Sequence, residues 1–287
     1  MKETRKKIKI SKIIISVAII LLILFVCIIL YSYFVGTSGL NIREYNVYNK
    51  NIPDEFYGLK IIQISDIHYG FHFNKNKLEK IVKKINELNP DIVVLTGDII
   101  DKKINDKQEE ELKEQLSYIN ASIGKYAIKG NHDYNYKNWD YIIKNSGFIN
   151  LNDTYDIIYG NDSNIMISGV STNLFGKNKI NDKLYSSKQY IEMNSVNYKI
   201  LLVHEPDYID EIKDISFDLV LASHGHNGQF RLPIFGALYN PKGAKKYHEE
   251  FYKVNKTDLY ISGGLGTTTI NLRLFNKPSF NLYRLTN

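Results

Sequence analysis

The sequence predicts an α/β protein, in which a mixed β-sandwich of two sheets is flanked by helices and preceded by one N-terminal transmembrane helix. Three observations support this prediction. An uncharged apolar run extends from Ile13 to Val35. Short apolar runs then alternate with helical patterns through the first half of the body, as in parallel α/β sheets. The second half carries further strand patterns with less helix between them. The 287 residues allow one large domain plus an appendage.

Residues 1–12 form a basic N-terminus, and residues 13–35 are predicted to be a signal-anchor helix. The first twelve residues carry a charge of +5 out of the net +6, which leaves the body nearly neutral. A nearly neutral body gives no reason to expect nucleic acid as a stable partner. As a helix, the run from Ile13 to Val35 spans ~34 Å, enough to cross ~30 Å of hydrocarbon. Tyr31 and Tyr33 lie where an interfacial aromatic belt is expected.

The positive-inside rule places the basic end in the cytoplasm and the body on the extracytoplasmic face of the cell membrane. A cleaved signal peptide is the alternative, because residues 36–39 are mostly small. An apolar region of about 7–15 residues is usual in signal peptides, so the longer run here favours an uncleaved anchor. Cys27, the single cysteine, lies inside this run. The body therefore has no disulfide and depends on its own core.

Residues 36–58 are predicted to be a linker with a possible edge strand, and residues 59–287 to be the main folded domain. Leu59–Ser65 is a mostly apolar run that predicts a buried strand. Apolar residues at helical spacing predict a helix over 78–88, which Pro90 terminates. Ile92–Leu95 predicts the second buried strand.

A second amphipathic pattern over 112–119 predicts another helix, and Tyr126–Ile128 predicts a third strand. This strand–helix–strand rhythm implies parallel pairing with right-handed crossovers. The later strand patterns, with less helix between them, favour a mixed two-sheet sandwich over a singly wound sheet. They are Ile157–Tyr159, Ile165–Val170, Lys199–Val203, Leu219–Ala222, Leu259–Ser262 and Ser279–Arg284.

Seven potential metal ligands recur in short blocks, each block at the end of an apolar run. They are Asp66, His68, Asp98, Asn131, His204, His224 and His226. Each block alone has a simpler explanation, such as a structural histidine or a helix N-cap at Asp98. Together, Asp, Asn and His side chains at the rim of a sheet predict a two-metal hydrolytic centre. Two cations about 3.5–4 Å apart would clamp a phosphoryl group and acidify a bridging water to hydroxide, which attacks phosphorus without a side-chain base.

The order D-x-H, G-D, G-N-H-D, a single H and then H-x-H resembles the calcineurin-like metallophosphoesterases, from about Leu59 to the C-terminus. Residues 229–233 and 262–267 also look like the bacterial membrane-anchored or exported subgroup of that superfamily. The resemblance implies a four-layer αββα fold and two divalent cations, Mn, Fe or Zn, with Mn favoured. It assigns one cation to Asp66, His68, Asp98 and His226. It assigns the other to Asp98, Asn131, His204 and His224.

The same resemblance gives His132 the role of the catalytic histidine, which protonates the leaving oxygen or stabilises charge on the phosphoryl group. Asp101 is predicted to orient His132 by a hydrogen bond, as in some relatives. Arg231 is predicted to contact a substrate phosphate, with a structural ion pair as the alternative. Ser223 and Asn227 replace glycines that the family commonly has. If Ser223 requires a positive φ, the replacement costs ~1 kcal/mol or more of strain and weakens the site.

The predicted function is a membrane-anchored binuclear phosphohydrolase that cleaves a phosphodiester or pyrophosphate bond. The bilayer is its expected partner, and the expected substrate is a phosphorylated small molecule or a lipid-, nucleotide- or envelope-linked phosphate. Two alternatives remain open. One is a phosphomonoesterase, including a protein phosphatase. The other is a metal-poor envelope scaffold, which the changes around His224 and His226 would favour.

Overall fold

The computed structural model describes residues 2–70, 72–101, 103–172, 174 and 179–287, with side chains from residue 10 onward. Its helices are α1 (Lys2–Leu30), α2 (Lys75–Glu87), α3 (Asp106–Ser117), α4 (Trp139–Asn145), α5 (Ile180–Lys183) and α6 (Tyr185–Met193), with a π-helical segment at Tyr31–Val35 and 3-10 turns at Asp54–Phe56 and Pro206–Glu211. Its strands are β1 (Asn41–Tyr48), β2 (Lys60–Ile64), β3 (Ile92–Leu95), β4 (Gly124–Ala127), β5 (Ile149–Asn150), β6 (Thr154–Tyr159), β7 (Asn164–Val170), β8 (Tyr198–Val203), β9 (Leu219–Ala222), β10 (Arg231–Leu232), β11 (Gly236–Ala237), β12 (Phe251–Val254), β13 (Thr257–Ile261) and β14 (Ser279–Thr286).

Within the described residues, two six-stranded mixed sheets face each other. The first has the order β1-β14-β2-β3-β4-β5 and the second has the order β12-β13-β9-β8-β7-β6. β2 to β5 run parallel in the first sheet, and β7, β8, β9 and β13 run parallel in the second. The carboxyl ends of these parallel strands carry the predicted metal ligands. The predicted mixed two-sheet fold is therefore confirmed.

Alternate residues of each strand face different layers, as the period of two requires. In β2, Ile62 and Ile64 pack against α2, α3 and α4, while Ile61 packs between the two sheets. A third apolar cluster, which includes Leu201 and Ile180, lies between the second sheet and α5. The layers are thus helix, sheet, sheet and helix.

Buried polar groups join the two sheets close to the ligand-bearing ends. Gln63 of β2 donates to the carbonyl oxygen of Ala222 at the end of β9, at 2.8 Å. Ser65 donates to the Ser262 hydroxyl at 2.8 Å, which joins the ends of β2 and β13. These bonds fix the strand ends of the two sheets relative to each other where the predicted ligand side chains converge.

Residues 41–58, which are part of the segment 36–58 predicted to be a linker with a possible edge strand, are packed into the domain. β1 pairs in parallel with β14 over its full length at the edge of the first sheet. Val47, Ile52 and Phe56 are buried between the two sheets. The packed unit therefore begins near residue 41 and not at Leu59.

The N-terminal helix extends away from this unit. Ile10–Val35 is long and apolar enough to cross a membrane, and its apolar side chains are largely exposed. The basic side chains of residues 2–9 lie outside the described part. The end of the helix contacts the domain, since the Arg273 N–H donates to the Ser32 carbonyl at 3.1 Å and Ser32 is buried. A Cβ at Gly36 would lie 1.7 Å from the Arg273 carbonyl oxygen, so glycine permits this contact.

Candidate metal centre

The predicted ligands lie in turns that follow five parallel strands. Asp66 and His68 follow β2, Asp98 follows β3, and Asn131 follows β4. The remaining three come from the second sheet, where His204 follows β8 and His224 and His226 follow β9. The structure brings all seven to one end of the sandwich.

Five of these residues have a left-handed backbone, which is uncommon for residues other than glycine. The φ angles are 46° at Asp66, 48° at His68, 55° at Asp98, 68° at His224 and 49° at His226. Asp, Asn and His occupy this region several-fold more often than most residues do, yet each instance costs of order 1–3 kcal/mol. The turns therefore hold the ligand side chains at a conformational cost that the surrounding fold offsets.

Two glycines allow the strand ends to approach closely. A Cβ at Gly97 would lie 2.5 Å from His204 Nδ1, and Gly97 has a φ of +100°. A Cβ at Gly130 would lie 2.1 Å from Asp98 Oδ1. The glycine in each of the motifs G-D and G-N-H-D is thus required by the space beside the ligands.

Asp66, His68 and His226 form the first cluster. The two imidazole Nε2 atoms lie 3.3 Å apart, and Asp66 Oδ1 lies 3.5 Å from His226 Nε2 and 3.9 Å from His68 Nε2. Both Asp66 oxygens are buried and accept no hydrogen bond of ordinary geometry within the described part of the chain. A buried carboxylate in that situation is costly unless a cation neutralises it.

Asp98, Asn131, His204 and His224 form the second cluster. His204 Nε2 lies 3.2 Å from Asp98 Oδ2 and 3.2 Å from Asn131 Oδ1. The centroids of the His204 and His224 rings lie 4.9 Å apart. Asp98 Oδ2 is also 3.9 Å from His68 Nε2, so this one carboxylate oxygen faces both clusters.

Hydrogen bonds outside the clusters orient the histidines of the second one. His204 Nδ1 donates to the Thr96 carbonyl at 2.7 Å, which directs Nε2 towards Asp98. His224 Nε2 donates to the Lys242 carbonyl at 2.9 Å, which leaves Nδ1 as its potential ligand atom. Such partners fix the tautomer of a ligating histidine.

Burial sets the charge of most of these groups. It lowers the pKa of His68 to about 3 and that of His224 to about 4, so both rings are neutral and able to bind a cation at pH 7. Burial also lowers the pKa of His226 far below its usual range, and the Arg273 guanidinium acts in the same direction. Burial raises the pKa of the Asp66 carboxyl to about 6, and Asp98 adds to that rise.

His204 and Asp98 behave as an ion pair. Burial alone would lower the pKa of His204, but the Asp98 carboxylate beside it raises the pKa well above its usual value. Burial would likewise raise the pKa of Asp98, but the nearby His204 brings it below its usual range. A divalent cation would compete with the His204 proton for Asp98.

His132 lies at the edge of the cluster and remains partly exposed. Its Nδ1 donates to the Asp101 carbonyl at 2.8 Å, so Nε2 is the nitrogen that is available to a substrate. The predicted orienting group, the Asp101 carboxylate, lies farther away, with Oδ1 3.7 Å from His132 Nδ1 and 4.0 Å from His68 Nδ1. The backbone of Asp101 therefore holds His132 most closely.

The two residues that replace family glycines are accommodated. Ser223 does not have a positive φ, and its hydroxyl donates to the Thr96 carbonyl at 2.7 Å beside His204. Asn227 has a φ of 49°, and its Oδ1 accepts a hydrogen bond from Arg43 at 2.7 Å. The strain expected at Ser223 is absent, so this replacement gives no reason to expect a weakened site.

Arg231 and Arg273 have different surroundings. Arg231, predicted to bind a substrate phosphate, forms an ion pair with Glu249 at 2.6 Å. Arg273, which the sequence analysis did not identify, is completely buried beside His226, with its Nη2 3.2 Å from Nδ1 of that ring. Its guanidinium also donates to the carbonyl groups of residues 263, 264 and 266. A single arginine in a mixed sequence gives no pattern by which it could have been found.

The glycine-rich segment that Arg273 holds lies against the first cluster. A Cβ at Gly264 would lie 2.8 Å from the Asp66 Cβ. The Gly266 N–H donates to the Asp66 carbonyl at 2.7 Å. The segment thus packs directly on the turn that carries Asp66.

A cavity of about 400 Å³ opens over the cluster. Its floor carries metal-centre side chains, including Asp98, His132 and His226. The rest of its lining combines the apolar side chains of Phe230, Tyr239, Pro241 and Ile270 with the polar Gln229, Thr268 and Thr269. The arrangement suits a phosphate that carries an apolar group.

The donor set fits divalent cations. Three groups of side chains present ligand atoms within 4.8 Å of one another, and the middle group is joined to the first through His68 and to the third through Asp98. Carboxylate, amide and imidazole donors suit Mn²⁺, Fe and Zn²⁺. The Asp66 carboxylate, whose buried oxygens accept no hydrogen bond of ordinary geometry among the described residues, supports the same assignment.

Comparisons with known proteins show similarity to metallophosphoesterases. The family model described as calcineurin-like phosphoesterase matches residues 59–264. An uncharacterized metallophosphoesterase of Bacillus subtilis, YkuE, is 30% identical over 89% of this chain and 88% of its own length. The UDP-2,3-diacylglucosamine pyrophosphatase LpxG of Chlamydia muridarum is 27% identical over 81% of this chain and 86% of its own. A transmembrane protein with metallophosphoesterase domain of Danio rerio is 28% identical over 79% of this chain and 53% of its own.

Proposed function

The chain belongs to the calcineurin-like phosphoesterase family, and from that premise we propose that it is a membrane-anchored, two-metal phosphohydrolase. Its proposed substrate contains a phosphodiester or pyrophosphate bond attached to a lipid. The observation that carries the proposal is the convergence of the seven ligand side chains, among them the buried Asp66 carboxylate, at one end of the sandwich. Asp66, His68, Asp98 and His226 would hold one cation, and Asp98, Asn131, His204 and His224 the other.

The bound cations would supply Lewis-acid polarisation of a phosphoryl oxygen and a water of lowered pKa. The residues of the chain do the rest. His132 lines the cavity with Nδ1 held by the Asp101 carbonyl, so its Nε2 can donate a proton to the leaving oxygen. The Asp98 Oδ1 accepts the His132 N–H at 2.8 Å, which ties the position of His132 to that of the metal centre.

Two observations support a lipid-linked substrate. The lining of the cavity places Phe230, Tyr239 and Ile270 beside the metal-centre side chains, as a phosphate bearing a hydrophobic group requires. The relative LpxG is named for a diacylated nucleotide sugar whose pyrophosphate bond it cleaves. The 26-residue apolar helix supports a location at the bilayer, and the basic N-terminus supports an extracytoplasmic domain.

The first test is metal content and diester hydrolysis in the full-length protein, purified in detergent micelles. We expect about two metal equivalents per chain and Mn²⁺-dependent cleavage of bis(p-nitrophenyl) phosphate. Substitution Asp66→Asn removes the charge that the first cation requires. It should lower the metal content by about one equivalent and the rate by about 100-fold or more, since even partners that only support a ligand change metal affinity 10–100-fold.

The matched control is Asp162→Asn, an exposed aspartate in the turn between β6 and β7. It should leave both measurements unchanged. Faster cleavage of p-nitrophenyl phosphate than of the diester would show a phosphomonoesterase. A folded protein without metal and without turnover would refute the enzyme and support an envelope scaffold.

A further inference from the structure

Six large apolar side chains stand exposed beside the metal-centre cavity. They are Ile234, Phe235, Leu238, Tyr239, Ile270 and Phe275, here called the apolar rim. Ile234 is completely exposed at 102%, and Phe235 is 82% exposed. Clustered exposure of this kind marks an interaction surface.

The apolar rim is continuous with the metal centre. Tyr239 and Ile270 line the cavity over the cluster. Ile234 and Phe235 form the tip of the β10–β11 hairpin and share a second cavity with Phe275. The Arg231 N–H donates to the Leu274 carbonyl at 3.0 Å, which connects the hairpin to the segment before Phe275.

The apolar rim is also continuous with the end of the apolar helix. The Phe275 ring packs on Tyr31 at a centroid distance of 5.5 Å. Two residues earlier, the Arg273 N–H donates to the Ser32 carbonyl. The hairpin tip thus lies close to the point where the helix meets the domain.

The hairpin tip carries an apolar residue at a position whose backbone conformation favours glycine or asparagine. Ile234 has a φ of 74°, a conformation that Gly or Asn adopts easily and a β-branched residue rarely adopts. Arg231 is the only charged residue between Gly228 and Pro241, and it is paired with Glu249. A strained turn that exposes isoleucine and phenylalanine is suited to an apolar environment.

We propose that the apolar rim docks on the outer surface of the bilayer that holds the apolar helix, so that a lipid-linked phosphate enters the metal-centre cavity from the membrane side. This inference rests on the proposed function for the identity of the substrate. The partner is the lipid surface, because the apolar rim joins the predicted membrane-spanning helix at Phe275 and Tyr31. Aromatic side chains are enriched at that interface, and shallow apolar insertion is a common way to bind it.

The test places a tryptophan at the hairpin tip of the full-length protein in nanodiscs that contain brominated phosphatidylglycerol and phosphatidylethanolamine. Phe235→Trp should be quenched at least twofold more than Tyr159→Trp. Tyr159 is a matched control because it is 69% exposed and lies at the opposite end of the sandwich, where it pairs with the first residue of β7. The native Trp139 is fully buried and contributes the same background to both.

Equal quenching of the two variants would overturn the proposal. Equal quenching together with cross-linking between the hairpin tips of two copies would assign the apolar rim to self-association instead. This measurement does not require activity, so it gives a result even if the protein is not an enzyme.

A second measurement concerns substrate entry. The double substitution Ile234→Asp and Phe235→Asp should reduce cleavage of UDP-2,3-diacylglucosamine embedded in nanodiscs at least fivefold. Cleavage of soluble bis(p-nitrophenyl) phosphate should remain within about 1.5-fold, because neither side chain lines the metal-centre cavity. An equal loss on both substrates would contradict entry from the membrane side. If the wild-type protein does not cleave the lipid, the proposed substrate class fails while the quenching result still stands.

Discussion

Asp133, in the G-N-H-D motif, shows how a residue that binds no metal supports those that do. Its carboxylate is fully buried and accepts backbone N–H groups from Ile99 at 3.0 Å, Ile100 at 3.3 Å and Gly130 at 3.1 Å. These bonds join the turn after β3 to the turn after β4. The relative positions of Asp98 and Asn131 therefore depend on one side chain that contacts neither cation site directly.

Asp133 predicts a pH dependence of stability in protein stripped of metal. Burial, with the negative charge of Asp98, raises the pKa of Asp133 from 3.8 to about 7. Between these values the folded protein holds a proton that the unfolded chain has released, so stability falls as pH rises through this window. Compared with Asp133→Asn, the wild-type melting temperature in EDTA should fall more steeply from pH 4 to pH 7. The limit is a few kcal/mol, since one pKa unit is worth about 1.36 kcal/mol.

Bound metal should reduce that difference in slope, because it neutralises the Asp98 charge that raises the pKa of Asp133. Melting curves with and without Mn²⁺ check this. Parallel pH profiles for wild type and Asp133→Asn in EDTA would contradict a raised pKa.

At the scale of the element, the turns that follow the strands position the ligand side chains of the metal centre. The turns after β2, β3, β4 and β9 each contain a left-handed residue or a glycine, and their ligands meet His204, which follows β8, within a few ångströms. Gly97 illustrates the requirement, because its missing side chain makes the room in which His204 lies.

Gly97→Ala should weaken metal binding and lower the rate of diester hydrolysis, each by about 100-fold or more. A Cβ there would displace His204 or the Gly130 backbone. Gly58→Ala is the matched control. Gly58 has a similar φ of +84°, but a Cβ there would meet nothing within 4 Å. It should lower stability by about 1 kcal/mol through backbone strain alone and leave metal content intact. Equal effects of the two substitutions would show that strain, not crowding, decides the outcome.

At the scale of the whole molecule, the metal centre joins the two sheets. Four ligands follow strands of the first sheet and three follow strands of the second. Each proposed cation takes ligands from both, through His226 in one case and through His204 and His224 in the other. Loss of metal should therefore loosen the contact between the sheets at this end.

Chelation should lower the melting temperature of the full-length protein by roughly 5–10 °C. Saturation at 100 times the dissociation constant stabilises a fold by about 2.7 kcal/mol, and 1 kcal/mol shifts a domain of this size by roughly 2–4 °C. Thermal unfolding monitored by circular dichroism, with and without EDTA, measures the shift. Asp66→Asn should respond less than wild type. An unchanged melting temperature in wild type would indicate that no structural metal is bound.

The family and the two-sheet fold were predictable because each ligand block follows a strand with a simple apolar pattern. Ile92–Leu95 and Leu219–Ala222 have the predicted bounds, and both are buried runs flanked by polar turns. The packing of β1 was predicted only as a possibility, because the polar residues of an edge strand resemble those of a linker. The role of Arg273 was missed, since it depends on contacts that are distant in sequence. The β10–β11 hairpin was missed because its strands have only two residues each.

The pairing of β14 has a consequence for biosynthesis. This strand, the last along the chain, lies between β1 and β2 and supplies the buried Phe280 and Leu282. While the ribosome is still adding residues 279–286, the apolar helix has emerged, yet β1 has no partner and one edge of β2 is open. The first sheet can close only when β14 becomes available, so its completion must follow the emergence of the apolar helix from the ribosome. A product that stops short of β14 would expose an unpaired strand and would be open to proteolysis.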